Sequence, residues 1–120
     1  MSLLKSSGAS NYVGVHDLAG ATHWYMQKLG LRKIRVELDD PKECVALGFS
    51  KDEYAFTLGP RNRPGDETNP LLYTSNAKKA REHLNALGIP VGEMQRDRTN
   101  TYFFEMRDLE GNVIEISEEP

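Results

Sequence analysis

A single cysteine, Cys44, stands in a chain of 120 residues. That rules out an internal disulfide and every multi-cysteine zinc site, and it suits a reducing compartment. Long apolar runs are also missing. The longest is four residues, Cys44–Leu47, far short of the roughly 20 that a membrane-spanning helix needs. Residues 1–10, MSLLKSSGAS, hold no apolar stretch of signal-peptide length and read as a disordered lead. A basic excess is lacking too: fifteen Lys and Arg against eighteen Asp and Glu leave a net charge of -3. Phosphate neutralisation, on which nucleic-acid binding rests, has no evident source. The expectation is a cytoplasmic protein with no nucleic-acid or membrane partner.

Apolar residues at 38% and charged residues at 28% suit one globular domain, since domains commonly run to about 100–150 residues. Tyr12 to His16 is a β-type segment. Asp17 then offers a cap to a helix over 18–29, whose Leu18, Ala21, Tyr25 and Leu29 make one apolar face. Gly30 supplies the stop. Ile34, Val36 and Leu38 alternate with Arg35 and Glu37 as in a strand with one wet face. Asp39-Asp40-Pro41 reads as a turn, and strands are predicted over 44–49 and 54–58.

Residues 60–69 lie in a Gly- and Pro-rich stretch without periodicity, a linker or mobile loop. The order then restarts. A strand over 71–74 is followed by Ser75 or Asn76 as a cap, a helix over 77–87 and Gly88 as its stop. Strands over 91–96, 101–107 and 113–117 complete the chain. The two helix ends, Leu29-Gly30-Leu31 and Leu87-Gly88-Ile89, lie 58 residues apart, close to half the length. A pattern repeated at half-length predicts an α+β fold of two tandem βαβββ modules, about 11–59 and 70–118, packed as one domain over 11–118. Each sheet would bury one face under its helix, and the other faces would line a cleft.

Asp17-Leu18, Trp24-Tyr25 and Leu29-Gly30-Leu31 resemble the first-helix signature of the vicinal oxygen chelate superfamily, the glyoxalase, bleomycin-resistance and extradiol-dioxygenase group. Asp108-Leu109-Glu110-Gly111-Asn112, with Glu115 three residues on, resembles its second hallmark. The resemblance implies a mixed sheet lining a ligand cleft, a homodimer and, in many members, a divalent ion such as Zn, Ni, Mn or Fe. Such an ion is held by His, Glu or Gln on the first, fourth, fifth and eighth strands. Carried over singly, those positions fall at Ser10 (with Asn11 the one-residue alternative), Thr57, Asn69 and Glu115. Only Glu115 is a strong ligand, and transition-metal sites of this kind combine imidazole with carboxylate. His16, His23 and His83 do not supply the imidazole, because two are in helices and His16 closes the first strand at the cap.

The resemblance therefore points to a member that binds a small organic molecule with no cofactor expected. The alternatives are a metal-dependent lyase, isomerase or dioxygenase built on Glu115, similar to lactoylglutathione lyase, and a non-enzymatic interaction or regulatory module. Glu115 is the candidate general base or amine-binding carboxylate. If the last hairpin is symmetric about Glu110, then Glu105 faces Glu115 and Arg107 shares their face. Thr101, Phe103, Glu105 and Arg107 share one side of their strand, and Tyr102, Phe104 and Met106 share the other. Tyr12, Tyr54, Tyr102 and Phe104 are candidate aromatic walls. Thr57 and Asn69 are candidate polar contacts, and Arg61 and Arg63 a candidate clamp for an anion.

Overall fold

The computed structural model describes residues 3–36, 43–61 and 69–120. The lead, expected to lack structure, instead contributes β1 (Lys5–Ser6), and Leu4 beside it is buried in the core. Then come β2 (Tyr12–Val15), α1 (Leu18–Leu29), β3 (Arg32–Lys33), β4 (Val45–Ser50) and β5 (Glu53–Pro60). The second half follows with β6 (Leu71–Thr74), α2 (Ala77–Ala86), β7 (Gln95–Arg96), β8 (Tyr102–Arg107) and β9 (Val113–Glu118).

Local chemistry sets both helix ends. Asp17 accepts a hydrogen bond from the Gly20 N–H at 3.0 Å, and Gly30 closes α1 at φ 69°, a conformation open to glycine at little cost. Asn76, not Ser75, caps α2 by accepting from the Lys79 N–H at 3.0 Å. At the other end Ile89 N–H donates to Leu84 O and Gly88 N–H to Asn85 O. This is the six-to-one and five-to-two pair of a Schellman stop.

The halves repeat in space. One sheet runs β2-β5-β4-β3 and the other β1-β6-β9-β8-β7. In each, the strand before the helix lies parallel to the last strand of its module, with Tyr12 beside Thr57 and Leu71 beside Glu115. Thr57 and Glu115 are thus counterparts, one in each module. Two predicted strands differ from expectation. Where the sequence pattern predicts a strand through Ile34, Val36 and Leu38, β3 instead covers the two residues before them, Arg32–Lys33, although Ile34 N–H still bonds Ala46 O at 3.0 Å. Over 91–96 only Gln95–Arg96 forms a strand, preceded by an isolated bridge from Val91 to Met106. Leu38, the turn 39–41 and most of the stretch 60–69 lie outside the described residues.

Val13, Val15, Leu47, Phe56 and Leu58 pack with Ala21, Tyr25 and Leu29 of α1, and Leu72, Phe104, Met106, Ile114 and Ile116 with Ala77, Ala80 and Leu84 of α2, in one continuous core. Burying these side chains is the main stabilising term of the fold. The opposite face of each sheet is left for other work. No helix among the described residues is long and apolar enough to cross a membrane.

Candidate functional site

On the first sheet the open face carries Tyr12, Thr57 and Tyr54. Tyr54 reaches it through a bulge. Leu47 pairs with Phe56 and Gly48 with Tyr54, so Ala55 is the extra residue, and its insertion turns Tyr54 onto the face that Thr57 occupies. The Tyr54 hydroxyl lies 2.7 Å from Thr57 Oγ1 and donates to Asn11 O at 2.8 Å. Burial raises the Tyr54 pKa, against a smaller opposite pull from Thr57. Tyr12 donates its hydroxyl to Pro60 O at 2.6 Å and lies over Gly59, where an added Cβ would also stand 2.7 Å from Cys44 Sγ. Cys44 is accordingly a buried wall residue.

On the second sheet the open face carries Leu71, Tyr73, Phe103, Glu105, Glu115 and Ser117, all half-buried. Glu105 sits directly opposite Glu115 in the β8–β9 register. The Glu115 pKa is raised by burial first, then by the charges of Glu105 and Asp97. Its protonated form, or an added cation, is thereby favoured. Arg107, which shares their face, is exposed and donates instead to Gly111 O at 3.0 Å.

Several candidates lie elsewhere. Phe104 is wholly buried in the core, since the face it shares with Met106 is the one α2 covers. Tyr102 follows that parity and, with Lys78, Arg81, Glu82, Glu93, Met94 and Glu118, lines a separate hollow of about 560 Å³ beside α2. The Arg96 guanidinium stacks 4.5 Å from the centre of its ring. Arg61 is no free clamp, because its Nη2 pairs with Glu110 at 3.0 Å and its Nη1 donates to Asn112 Oδ1 at 3.3 Å. Arg63 lies outside the described residues. Ser10 and Asn69 are exposed.

The 108–112 motif has a structural task that spacing alone did not reveal. Asp108, buried, accepts from Tyr25 OH at 2.6 Å, from the Glu110 and Asn112 N–H groups at 2.9 and 2.8 Å, and from Asn112 Nδ2 at 3.0 Å. Burial raises the Tyr25 pKa far above its ordinary value, with Asp108 adding to it. Glu110 reaches the other module and accepts from the His16 and Asp17 N–H groups at 2.8 and 2.9 Å. Burial alone would raise the Glu110 pKa, but those two N–H groups and Arg61 hold it below the usual carboxylate range. The loop is a clamp on the start of α1.

The positions at which the resemblance looks for metal ligands offer few donors here. The Thr57 hydroxyl is bonded to Tyr54, the exposed Ser10 and Asn69 are neutral oxygens, and Asn11 spends its whole amide on backbone groups. Among the described residues no three His, Cys, Asp or Glu side chains converge. One carboxylate with neutral oxygens does not fit a tightly held transition metal.

No protein-family model matches the sequence, and no curated protein does. Solved structures match over nearly the whole chain. A glyoxalase/bleomycin resistance protein/dioxygenase superfamily member from Sphaerobacter thermophilus is 21% identical, covering 92% of this chain and 94% of its own at a TM-score of 0.71. Lactoylglutathione lyase from Agrobacterium tumefaciens is 20% identical, with coverages of 95% and 96% and a TM-score of 0.62. TioX from Micromonospora sp. ML1 is 17% identical, with 95% and 97% covered and a TM-score of 0.63. This chain therefore has the fold of the glyoxalase/bleomycin resistance/dioxygenase superfamily.

Proposed function

We propose that the chain is a superfamily member that binds a small organic molecule over the open faces of its two sheets, without a tightly bound catalytic metal. The observation that carries this reading is the half-buried Glu115 carboxylate on a face with Leu71, Tyr73 and Phe103. Few polar groups among aromatic walls suit a flat ligand, and an acidic residue in such a place binds an amine or takes up a proton. A homodimer in the cytoplasm is part of the same reading, supported by the fold likeness and the lone cysteine.

The second reading is a metal-dependent lyase, isomerase or dioxygenase that uses Glu115. Its support is the fold likeness to lactoylglutathione lyase. A thermal-shift screen of aromatic amines in EDTA separates the two. Stabilisation without metal that is lost in Glu115→Gln supports the first reading, because a ligand that binds only the native state shifts the folding equilibrium towards it. Activity or stabilisation that appears only with an added divalent ion overturns it.

A further inference from the structure

Asn11 stands where the strand leading into the first module passes the second. Its Nδ2 donates to Ala55 O at 2.9 Å in β5 and to Leu71 O at 2.8 Å in β6, while its Oδ1 accepts from Leu71 N–H at 3.1 Å. Both amide hydrogens and the amide oxygen are used, and these partners fix which way the amide points. The Asn11 backbone oxygen is engaged as well, accepting from Thr57 N–H at 2.8 Å and from Tyr54 OH at 2.8 Å. The residue itself is buried. One residue before Leu71, Pro70 O accepts from Glu115 N–H at 2.9 Å.

Asn11 thus joins β5, which carries Thr57, to β6, the neighbour of Glu115. Of the positions at which the resemblance looks for metal ligands, Thr57 lies on β5, one of the strands this amide ties together, and Glu115 lies on β9, which pairs with the other, β6. We infer that Asn11 is a positioning residue, a buried hydrogen-bonded brace between the modules that aligns the two open faces. The alignment of the faces then needs no metal. The inference stands whether or not Glu115 binds a ligand.

An aspartate is the sharpest probe. In Asn11→Asp a carboxylate faces the Ala55 and Leu71 carbonyls and repels them, whereas its protonated form can donate to one. Its folded pKa is therefore raised, and stability is retained at low pH and lost as pH rises through that value. Tyr54, the titratable side chain bonded to Asn11, has a raised pKa and stays neutral across this range. Glu115, on the neighbouring strand, titrates in wild type and variant alike, so the difference between the two proteins is the quantity read.

Thermal midpoints followed by circular dichroism from pH 4 to 8, in EDTA, are the test. Asn11→Ala should lower the midpoint by on the order of 10 °C at every pH. Asn11→Asp should lose as much at pH 8 and recover at least half of the deficit by pH 4. A pH-independent deficit, or none, overturns the inference. Amide hydrogen exchange on the unaltered protein needs no variant. The Leu71 N–H should be protected to the level of global unfolding in EDTA. Fast exchange there that slows when Ni, Zn or Mn ions are added would show an ion acting as the brace and would overturn the inference.

Discussion

Glu105 and Glu115 stand directly opposite each other across the β8–β9 pair, both half-buried on the open face of the sheet. Burial raises the Glu115 pKa first, and the repulsion of the like charge on Glu105 adds to it. Because the folded pKa lies above the unfolded one, the ionised pair costs stability once pH exceeds the folded value, and the cost vanishes below the unfolded value. Glu115→Gln should raise the thermal midpoint by about 1–3 °C at pH 7.5, a small effect because the site is partly solvated. The gain should fade as pH falls to 4. A gain that persists at pH 4 would mean that charge is not its cause.

Glu110 carries the opposite sign. Its pKa is held low, so its contribution is present above the unfolded pKa and is lost as pH falls through the folded value. Glu110→Ala frees two N–H groups at the start of α1 and leaves Arg61 without its carboxylate. We expect a loss of about 2–3 kcal/mol at pH 7 by urea unfolding, narrowing at acid pH. Unchanged stability at pH 7 would show that the clamp contributes nothing.

Tyr25 and Asp108 tie α1 to the β8–β9 loop through a buried bond of 2.6 Å. Tyr25→Phe keeps the ring, which packs 5.4 Å from Phe56, and removes only the hydroxyl. Asp108 retains its three other donors, so the cost should be about 1–2 kcal/mol. Asp108→Ala strips all of them and should cost more than twice as much. Equal effects of the two changes would mean that Asp108 contributes only through its bond to Tyr25 and that its other three donors add nothing.

Metal content is directly measurable. Protein loaded in turn with Ni, Zn, Mn and Fe and then desalted should retain well below one ion per chain by elemental analysis. About one ion per chain, abolished by Glu115→Gln, would overturn the metal-free reading and make lyase and dioxygenase assays the next step.

Much of the fold was legible before any coordinates. Asp17, Gly30 and Gly88 act within a turn of their own positions, so their meaning is carried by neighbours in the chain. The 58-residue spacing of the helix ends likewise showed the doubling of the modules. The site was less legible. Tyr102 and Phe104 were placed with the ligand, yet their strand parity turns both towards the α2 side. Either face of β8 satisfied the sequence pattern, because both carry aromatic rings. Tyr54 reached the open face through a bulge at Ala55 that no residue type announces.

By itself the sequence determined the elements, their order and their repetition, because capping, glycine stops and period-two alternation depend on residues a few positions apart. Tertiary structure alone decided what the polar residues do. Glu110 bonds residues 93 and 94 positions away, Asp108 meets Tyr25 across 83, and Asn11 reaches Leu71 across 60. Each side chain could equally have faced water. It was the packing of two sheets into one core that took these groups out of water and brought each a hydrogen-bond partner from the other module.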